Sequence, residues 1–431
     1  MSHQDYATVV IVGGGIAGMT LAKVLEQCGG ASVGLLPNGL RILDQIGVAE
    51  QVEQFAAPHD LWELRDANGN LLNSLTGMRR FKEELGYTDF FVERQHVLEI
   101  LYETLTDKSR IHTSKRVSSV ESFPTHAVVT ANDGSKISCE FVIGADGVRS
   151  AVRRSIEAAL PNLVKNPHNF GSTYNCVFGV SKPVEGLRAG RNFRIFRPDV
   201  SVLVFSGKDG ILFWFLFEDR KSLTEFKDIP RYSDEDAELL ANKVADVTVS
   251  DGVVFSDVFR SREFMFMTAL EEGIAENWFA GRMVLVGDSA HKMTPHAAMG
   301  ANQAMESSVC LVNRLLELRN HLGGTLPRGI PVSELEKCFE KYYKKRLGRA
   351  SAFKQVAHKV CRSQLMVSPE DEAYVRNLPN LADDTWIAGF LDLLVEAEKL
   401  ENWSRESERV RNYSEWVEQM RAANTEKASQ L

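Results

Sequence analysis

The sequence predicts an α/β fold on three observations. Residues 8–22 read TVVIVGGGIAGMTLA, a β-branched run that stops at glycines and passes at once into an apolar helical pattern. From about 165 to 275 the chain changes to short apolar runs with strand-like alternation, and after 335 it changes again to helical spacing rich in Glu, Lys and Arg. Residues 1–165 and 276–335 therefore read as one discontinuous nucleotide-type domain, 166–275 as an inserted, mostly antiparallel β-sheet domain, and 336–431 as C-terminal helices. A chain of 431 residues is too long for a single compact core and suits two joined domains with a tail.

The opening stretch predicts strand, tight turn and helix. Gly13, Gly15 and Gly18 fit G-x-G-x-x-G. The first glycine allows the turn, the second lets backbone approach a pyrophosphate, and the third lets the helix pack on its strand. The helix start offers free N–H groups and partial positive charge to phosphates. This is a Rossmann-like device, but its second half is missing. An acid for the adenosine ribose is expected about 20 residues further on, and Val33 to Asn38 contains none; Glu26 comes early, on the helix, and Asp44 late, in another helix.

Further along, GLRILDQIGVAEQV has helical spacing, and residues 61–75 alternate around the turn signal NGN and predict a hairpin. VERQHVLEILYETL is a strand end feeding a helix with Arg94 at the junction. The dipole does not favour a cation there, so Arg94 is read as having a partner, either a phosphate or a surface carboxylate. HAVVTA, the turn DG and SKISCEFVIG form a second hairpin signature, which ends at Asp146 before a helix. An acid at a strand's carboxyl end lies where ligands bind in such sheets, and it can equally cap the helix.

The inserted region carries STYNCVFGV, NFRIFR, SVLVF, ILFWFLFED, VVFSDVF and EFMFMTAL, with helical periodicity confined to 234–246. Its aromatics, with Tyr174, Phe213 and Trp214 as pocket candidates, favour an apolar or aromatic ligand. NWFAGRMVLVGDSAHKMTP then repeats the strand-to-acid device at Asp288, and Gly300 opens a long helix over Ala301 to Leu318. Beyond it, Trp386, Trp403 and Trp416 are candidate packing anchors.

Composition excludes several function classes. A net charge of -8 argues against nucleic acid, whose binders displace counterions with basic patches. The six cysteines are scattered without a C-x-x-C pair, which suits reduced thiols of a cytoplasmic protein rather than a disulfide frame or a zinc site. His291 and His296, five apart, are not the i,i+4 pair of a zinc helix, so no metal is expected. No basic-then-apolar leader precedes the first strand, and the longest purely apolar run, Ile211 to Phe217, is too short for a transmembrane segment.

Three separated motifs, GGGIAG, GADGVRS and VGDSAHKMTP, occur in this order. The trio resembles the flavin-dependent monooxygenases of the para-hydroxybenzoate hydroxylase fold. GLLPNGLRILDQIG, VERQHVLEIL and IPRYSDEDAELLANK look closer still to the fungal FAD-dependent monooxygenases and epoxidases of terpenoid, meroterpenoid and indole-diterpene pathways. The resemblance covers residues 7–350 and implies a Rossmann-like FAD-binding domain, NADPH as co-substrate, molecular oxygen and a small apolar substrate. It implies that Gly13, Gly15 and Gly18 hold the FAD pyrophosphate, that Gly34 lines the flavin and that Arg94 contacts the FAD chain. It places Asp146 between FAD and NAD(P)H and Asp288 on the ribityl chain, and brings the N–H groups of Gly300 and Ala301 to the flavin's pyrimidine edge. A helix N-terminus there stabilises the charge of reduced flavin. The chemistry is flavin-centred, so no catalytic triad is required.

The chain departs from that family twice. Where the family reads G-Q-G, this sequence has Ala298, Met299 and Gly300. Roughly 15 to 20 residues, including the second strand and its acid, are missing between Gly29 and Ala31. Either Ala31 to Leu36 takes the second-strand position with Asn38 in place of the acid, or SVGLLPNGL keeps its family position and the second strand is absent. The alternative function that follows is a flavin-poor relative, acting as a non-redox isomerase, cyclase or binding protein.

Overall fold

The computed structural model describes residues 6–23, 32–162 and 170–429. The Gly29–Gly30–Ala31 junction lies outside the described residues.

The chain opens with β1 (Tyr6–Val12) and α1 (Ile16–Lys23) and continues as β2 (Ser32–Leu35), α2 (Pro37–Gln45) and α3 (Ala49–Glu53). A hairpin of β3 (Leu61–Arg65) and β4 (Leu71–Leu75) follows, then α4 (Arg79–Leu85), β5 (Phe90–Glu93) and α5 (Arg94–Glu103). Strands β6 (Val117–Ser122), β7 (Ala127–Ala131) and β8 (Lys136–Gly144) lead to α6 (Ala151–Ala159). The inserted region supplies β9 (Phe170–Ser181), β10 (Arg191–Ile195), β11 (Val200–Ser206), β12 (Leu212–Glu225) and α7 (Asp234–Asn242). It ends with β13 (Thr248–Ser250), β14 (Val253–Val254), α8 (Phe255–Arg260) and β15 (Arg262–Ile274). Short strands β16 (Phe279–Ala280), β17 (Met283–Leu285) and β18 (His291–Lys292) precede α9 (Gly300–His321). Helices α10 (Val332–Gln364), α11 (Pro369–Asn377), α12 (Asp383–Leu394) and α13 (Glu408–Ser429) close the chain.

Local chemistry accounts for the breaks. Gly47, at a φ of 84°, separates α2 from α3. The β3–β4 turn is built by Asp66, whose side chain accepts from the backbone N–H groups of Asn68 and Asn70, with Gly69 at a φ of 82°. Ser233 and Asp236 form a capping box at the start of α7.

The first sheet runs β16-β17-β8-β7-β6, with β1 beside β8. Both β1 and β17 lie parallel to β8, and their registers bring Val12 and Leu285 level with Gly144. All three motif strands thus end together, so the turns after them share one carboxyl edge, where ligands bind in open α/β sheets. Among the described residues only β8 pairs with β1. β2 pairs antiparallel with β5, with Gly34 opposite Phe91. Of the two readings of the gap, this supports the second: residues 32–35 do not extend the first sheet.

The second sheet runs β18-β15-β9-β12-β11-β10-β3-β4, antiparallel except between β10 and β3. Its membership differs from the division made on sequence, because the hairpin at residues 61–75 joins it through Arg191 opposite Leu61. Alternation predicts a strand, but tertiary contact selects its sheet. One face of this sheet packs beneath α7 and α8, through Val177, Val202, Val204, Trp214 and Leu216. The other turns Tyr174, Cys176, Leu203, Phe205, Phe213, Phe215 and Phe217 toward the first domain.

Candidate cofactor and substrate site

At the carboxyl edge of the first sheet, the glycine turn is tight enough to require its glycines. Gly13 has a φ of 105°, and a Cβ there would stand 2.5 Å from the carbonyl oxygen of Ala145. A Cβ on Gly18 would come within 2.1 Å of the Gly13 carbonyl oxygen. Over Gly15 lies the Arg94 guanidinium, with Nη2 3.2 Å from where a Cβ would be. Burial lowers the Arg94 pKa and nearby Asp288 partly opposes this. Its Nε is buried without a hydrogen-bond partner among the described residues. A cation held over a phosphate-type turn with an unused donor fits a pyrophosphate.

Asp146 caps α6: its Oδ2 accepts from Ala151 N at 2.6 Å and Val152 N at 3.3 Å, and its Oδ1 from the Ser150 hydroxyl. Burial raises its pKa against the pull of these bonds. Asp288 is paired with Lys292 at 2.6 Å. Burial pushes its pKa up, but Lys292, His291 and Arg94 together hold it below the usual carboxylate range.

Opposite these groups, Gly34 is wedged in place, since a Cβ there would lie 2.9 Å from both the Ala298 Cβ and the Phe91 ring. Asn302 ties the two segments together, donating to the carbonyls of Gly34 at 3.0 Å and Ala298 at 2.7 Å and accepting from Leu36 N at 3.2 Å. Ala298 adopts a φ of 51°, the left-handed shape that a glycine takes readily. An alanine in that shape, where the family has a glycine, holds a strain of about 1 kcal/mol. Among the described residues no side chain caps α9, and a Cβ on Gly300 would meet nothing within 4 Å. Gly300 and Ala301 thus begin a helix whose open terminus can receive an electron-rich ring.

The tight turn, the unsatisfied Arg94 and the open α9 terminus fit the pyrophosphate, ribityl and ring portions of FAD. Residues 32–38 contain no acid for the adenosine ribose. Asn38 does not replace it, because it is fully buried and its Nδ2 donates to Glu306 at 2.7 Å.

The family model described as an FAD binding domain matches residues 6–325. The chain is 33% identical to the FAD-dependent monooxygenase dpmaE of Metarhizium anisopliae, over 96% of this chain and 93% of that one. The chain belongs to the FAD-dependent monooxygenases. It is also 37% identical to the FAD-dependent monooxygenase penM of Penicillium crustosum, over 73% of this chain and 70% of that one. The fold matches Klebsiella pneumoniae HpxO complexed with FAD and uric acid at a TM-score of 0.72 and 20% identity, over 92% of this chain and 98% of that one. It matches a salicylate hydroxylase substrate complex at a TM-score of 0.68 and 21% identity, over 91% and 97%.

In this monooxygenase an aromatic wall begins at Gly34. Phe91, which touches it, stacks on Phe205 at 3.8 Å between centroids, and Phe205 meets Phe215 and Trp62 edge-on at 6.0 and 5.3 Å. Phe217 lies 3.9 Å from the His296 ring. Phe213 and Tyr174 stand on the same face, Phe213 near Phe91 at 6.4 Å and Tyr174 against His358 of α10 at 6.0 Å. Trp214 corrects an expectation: it points to the opposite face, its Nε1 donating to Ser181 Oγ at 2.8 Å and its ring packed on Phe255 at 5.3 Å. Successive strand residues face opposite ways, so Phe213 and Trp214 cannot wall one pocket.

Sequence reading missed three groups. Buried Glu306 on α9 accepts from Arg346 at 2.8 Å and Arg349 at 2.6 Å, both on α10, which fixes the two helices together. These two arginines outweigh burial and hold the Glu306 pKa at about 2. Asn302, as described, aligns the ring-side loop. His59, paired with Asp89 at 2.6 Å, stacks on Phe205 at 5.6 Å. Each joins segments far apart in sequence, so only the Glu-Arg richness of α10 was visible beforehand.

Proposed function

We propose that this FAD-dependent monooxygenase draws electrons from NADPH and transfers one oxygen atom to an apolar secondary-metabolite intermediate. The reaction is epoxidation of an alkene or hydroxylation of an arene on a prenylated, terpenoid or polyketide-derived skeleton. The observation that carries this is the stacked Phe91–Phe205 pair lying against the Gly34–Ala298 edge.

Bound FAD supplies the redox chemistry and the activation of oxygen. In this reading Gly13, Gly15, Gly18 and Arg94 hold the pyrophosphate, and Asp288 takes the ribityl hydroxyls. Gly34, Gly300 and Ala301 border the ring, while Asp146 holds α6 in place at the nucleotide edge. The wall of Phe205, Phe213, Phe215 and Phe217, with Tyr174 behind it under α10, orients hydrocarbon and excludes water. Oriented binding of this kind is what the chain itself adds to the rate.

The purified protein is expected to be yellow, to be stabilised thermally by FAD and to oxidise NADPH with uptake of oxygen. A colourless protein that FAD does not stabilise would overturn the reading in favour of non-redox function. Arg94→Ala should weaken FAD roughly ten- to hundredfold, the equivalent of a lost charge-assisted bond. Flavin fluorescence titration reads the affinity, and the melting temperature without FAD should stay unchanged.

A further inference from the structure

The outer strand of the second sheet is open along one side. β15 pairs with β9 from Arg262, beside Ser181, to Gly273, beside Phe170. On its other side β18 pairs only with Gly273 and Ile274, so among the described residues no strand meets the outer edge over residues 262–272. The register with β9 shifts after Arg262 and again after Leu270, which leaves residues 264–270 as a regular run between two irregularities.

That run reads FMFMTAL. It has no charge, no proline and no glycine, and it opens with aromatic residues that favour strands. Phe264 and Phe266 are 50% and 48% exposed, and their rings lie 5.9 and 5.8 Å from that of Phe178 on β9. Beside the start of the strand, Glu238 of α7 binds Arg262 at 2.6 Å, and the next residue of that helix, Leu239, is 64% exposed. Unpaired N–H and C=O groups on an edge strand template pairing with another chain, and natural proteins blunt such edges with charge or proline. Neither guard is present here.

The charges at the border select the partner. Lys182 pairs with Glu263, Arg260 with Asp257 and Arg262 with Glu238 at one end, and Arg149 with Glu271 and Lys354 with Glu272 at the other. Cations and carboxylates cancel, so the border is neutral on a chain of net charge -8. An anionic lipid surface draws on unpaired cations, and a charged peptide draws on an unpaired counter-charge. A second copy draws on neither, and two negative chains repel least where their surfaces are neutral.

We propose that two copies of this chain pair along β15, antiparallel about a two-fold axis near Met267, and so continue the second sheet across the interface. An antiparallel strand is its own complement under such an axis. Residues 264–270 of one copy meet the same residues of the other, and each edge supplies the N–H and C=O groups that the other lacks. The axis makes the two Phe266 rings neighbours on one face. Pairing uses the edge up, so assembly stops at two. A run this short buries less than the roughly 800 Å² per partner of a standard interface, and the expected Kd is accordingly about micromolar. Pairing needs neither bound FAD nor substrate.

Sedimentation of the full chain over about 1–100 μM tests this. The mass should rise from one copy toward two and stop there. Phe266→Lys and Phe266→Glu each set like charges together across the axis and should raise the Kd about tenfold or more. An equimolar mixture of the two variants should dimerise again, and this rescue separates lost pairing from lost folding. Hydrogen exchange of the unmodified protein gives a second readout, since amides within residues 264–270 that face away from β9 should gain protection as concentration rises. The pairing is overturned by a monomer at about 100 μM, by growth beyond two copies, or by a dimer that both single variants retain. It is equally overturned by a mixture that stays monomeric while both variants melt as the unmodified protein does. Exchange in this run that does not change while the unmodified protein dimerises overturns it even where the variants fail to fold.

Discussion

On one face of the second sheet, Trp214 is fully buried among Phe255, Phe259 and branched aliphatics, and its single polar atom is bonded to Ser181. On the other, Asn192 is buried just as completely, among Phe205 and Trp62, and neither amide atom has a partner among the described residues. Burial of these two side chains is equal and their polar satisfaction is not. An interior that serves stability closes its hydrogen bonds within itself, because an unpaired buried donor costs about 1–3 kcal/mol. An interior that receives a ligand leaves them open.

The largest test of this contrast is Trp214→Ala, expected to lower the unfolding free energy by about 3–5 kcal/mol through loss of a packed indole. Turnover per folded molecule should not change; denaturant unfolding beside steady-state kinetics would show it. Lost turnover with intact stability would break the contrast outright.

Acid comes next, because His291 and His296 are buried and neutral. The folded-state pKa of His291 is depressed to about 3, chiefly by burial and then by Arg346, with Asp288 and Glu306 opposing. That of His296 lies well below its usual value. In the unfolded chain both bind protons below about 6.5. Their contribution is therefore complete above that pH and is lost as pH falls below it, by about 1.4 kcal/mol each between about pH 7.5 and about pH 5.5. Asp146 and Glu398, whose pKa values burial raises, act in the opposite sense at lower pH. Urea midpoints at the two pH values should show this loss, His296→Leu should remove about half of it, and Trp214→Ala should leave the slope as it is.

Gly34→Ala is a smaller perturbation, since its Cβ would meet Ala298 and Phe91 at 2.9 Å. Overpacking of this kind costs about 1–3 kcal/mol, and flavin affinity should fall with it, as read by thermal shift with and without FAD. The smallest effect has the opposite sign. Asn192→Leu removes an unsatisfied amide, so stability should rise by about 1 kcal/mol while substrate affinity drops. A stability loss there would mean that the amide is satisfied after all.

The three glycine-and-acid motifs were legible because the turns they encode are local. Gly13 needs its φ and Gly18 its missing Cβ whatever the rest of the chain does. The β3–β4 hairpin was equally legible through its turn, yet its place beside β10 was not, because nothing within residues 61–75 names a partner strand. In ILFWFLF every residue is apolar, since the strand is covered on both faces, and such a run carries no polar marker of which face meets which domain. Strand parity alone could have shown that Phe213 and Trp214 face opposite ways, and that signal was available before the structure.

By itself, then, the sequence determined the order of elements, the phosphate-type turn, the paired acids at Asp146 and Asp288 and the helix start at Gly300. These follow from backbone sterics and short-range hydrogen bonds. Only the tertiary structure decided that β2 pairs with β5 instead of β1, that Arg94 lies over Gly15, that Asn302 ties Gly34 to Ala298, and that the Arg194 Nε has no hydrogen-bond partner among the described residues. These are relations between segments up to a few hundred residues apart, fixed by packing and by the cost of burying charge. The same packing brings GGGIAG to the shared edge beside Asp146 and Asp288, where a local turn becomes half of a cofactor site.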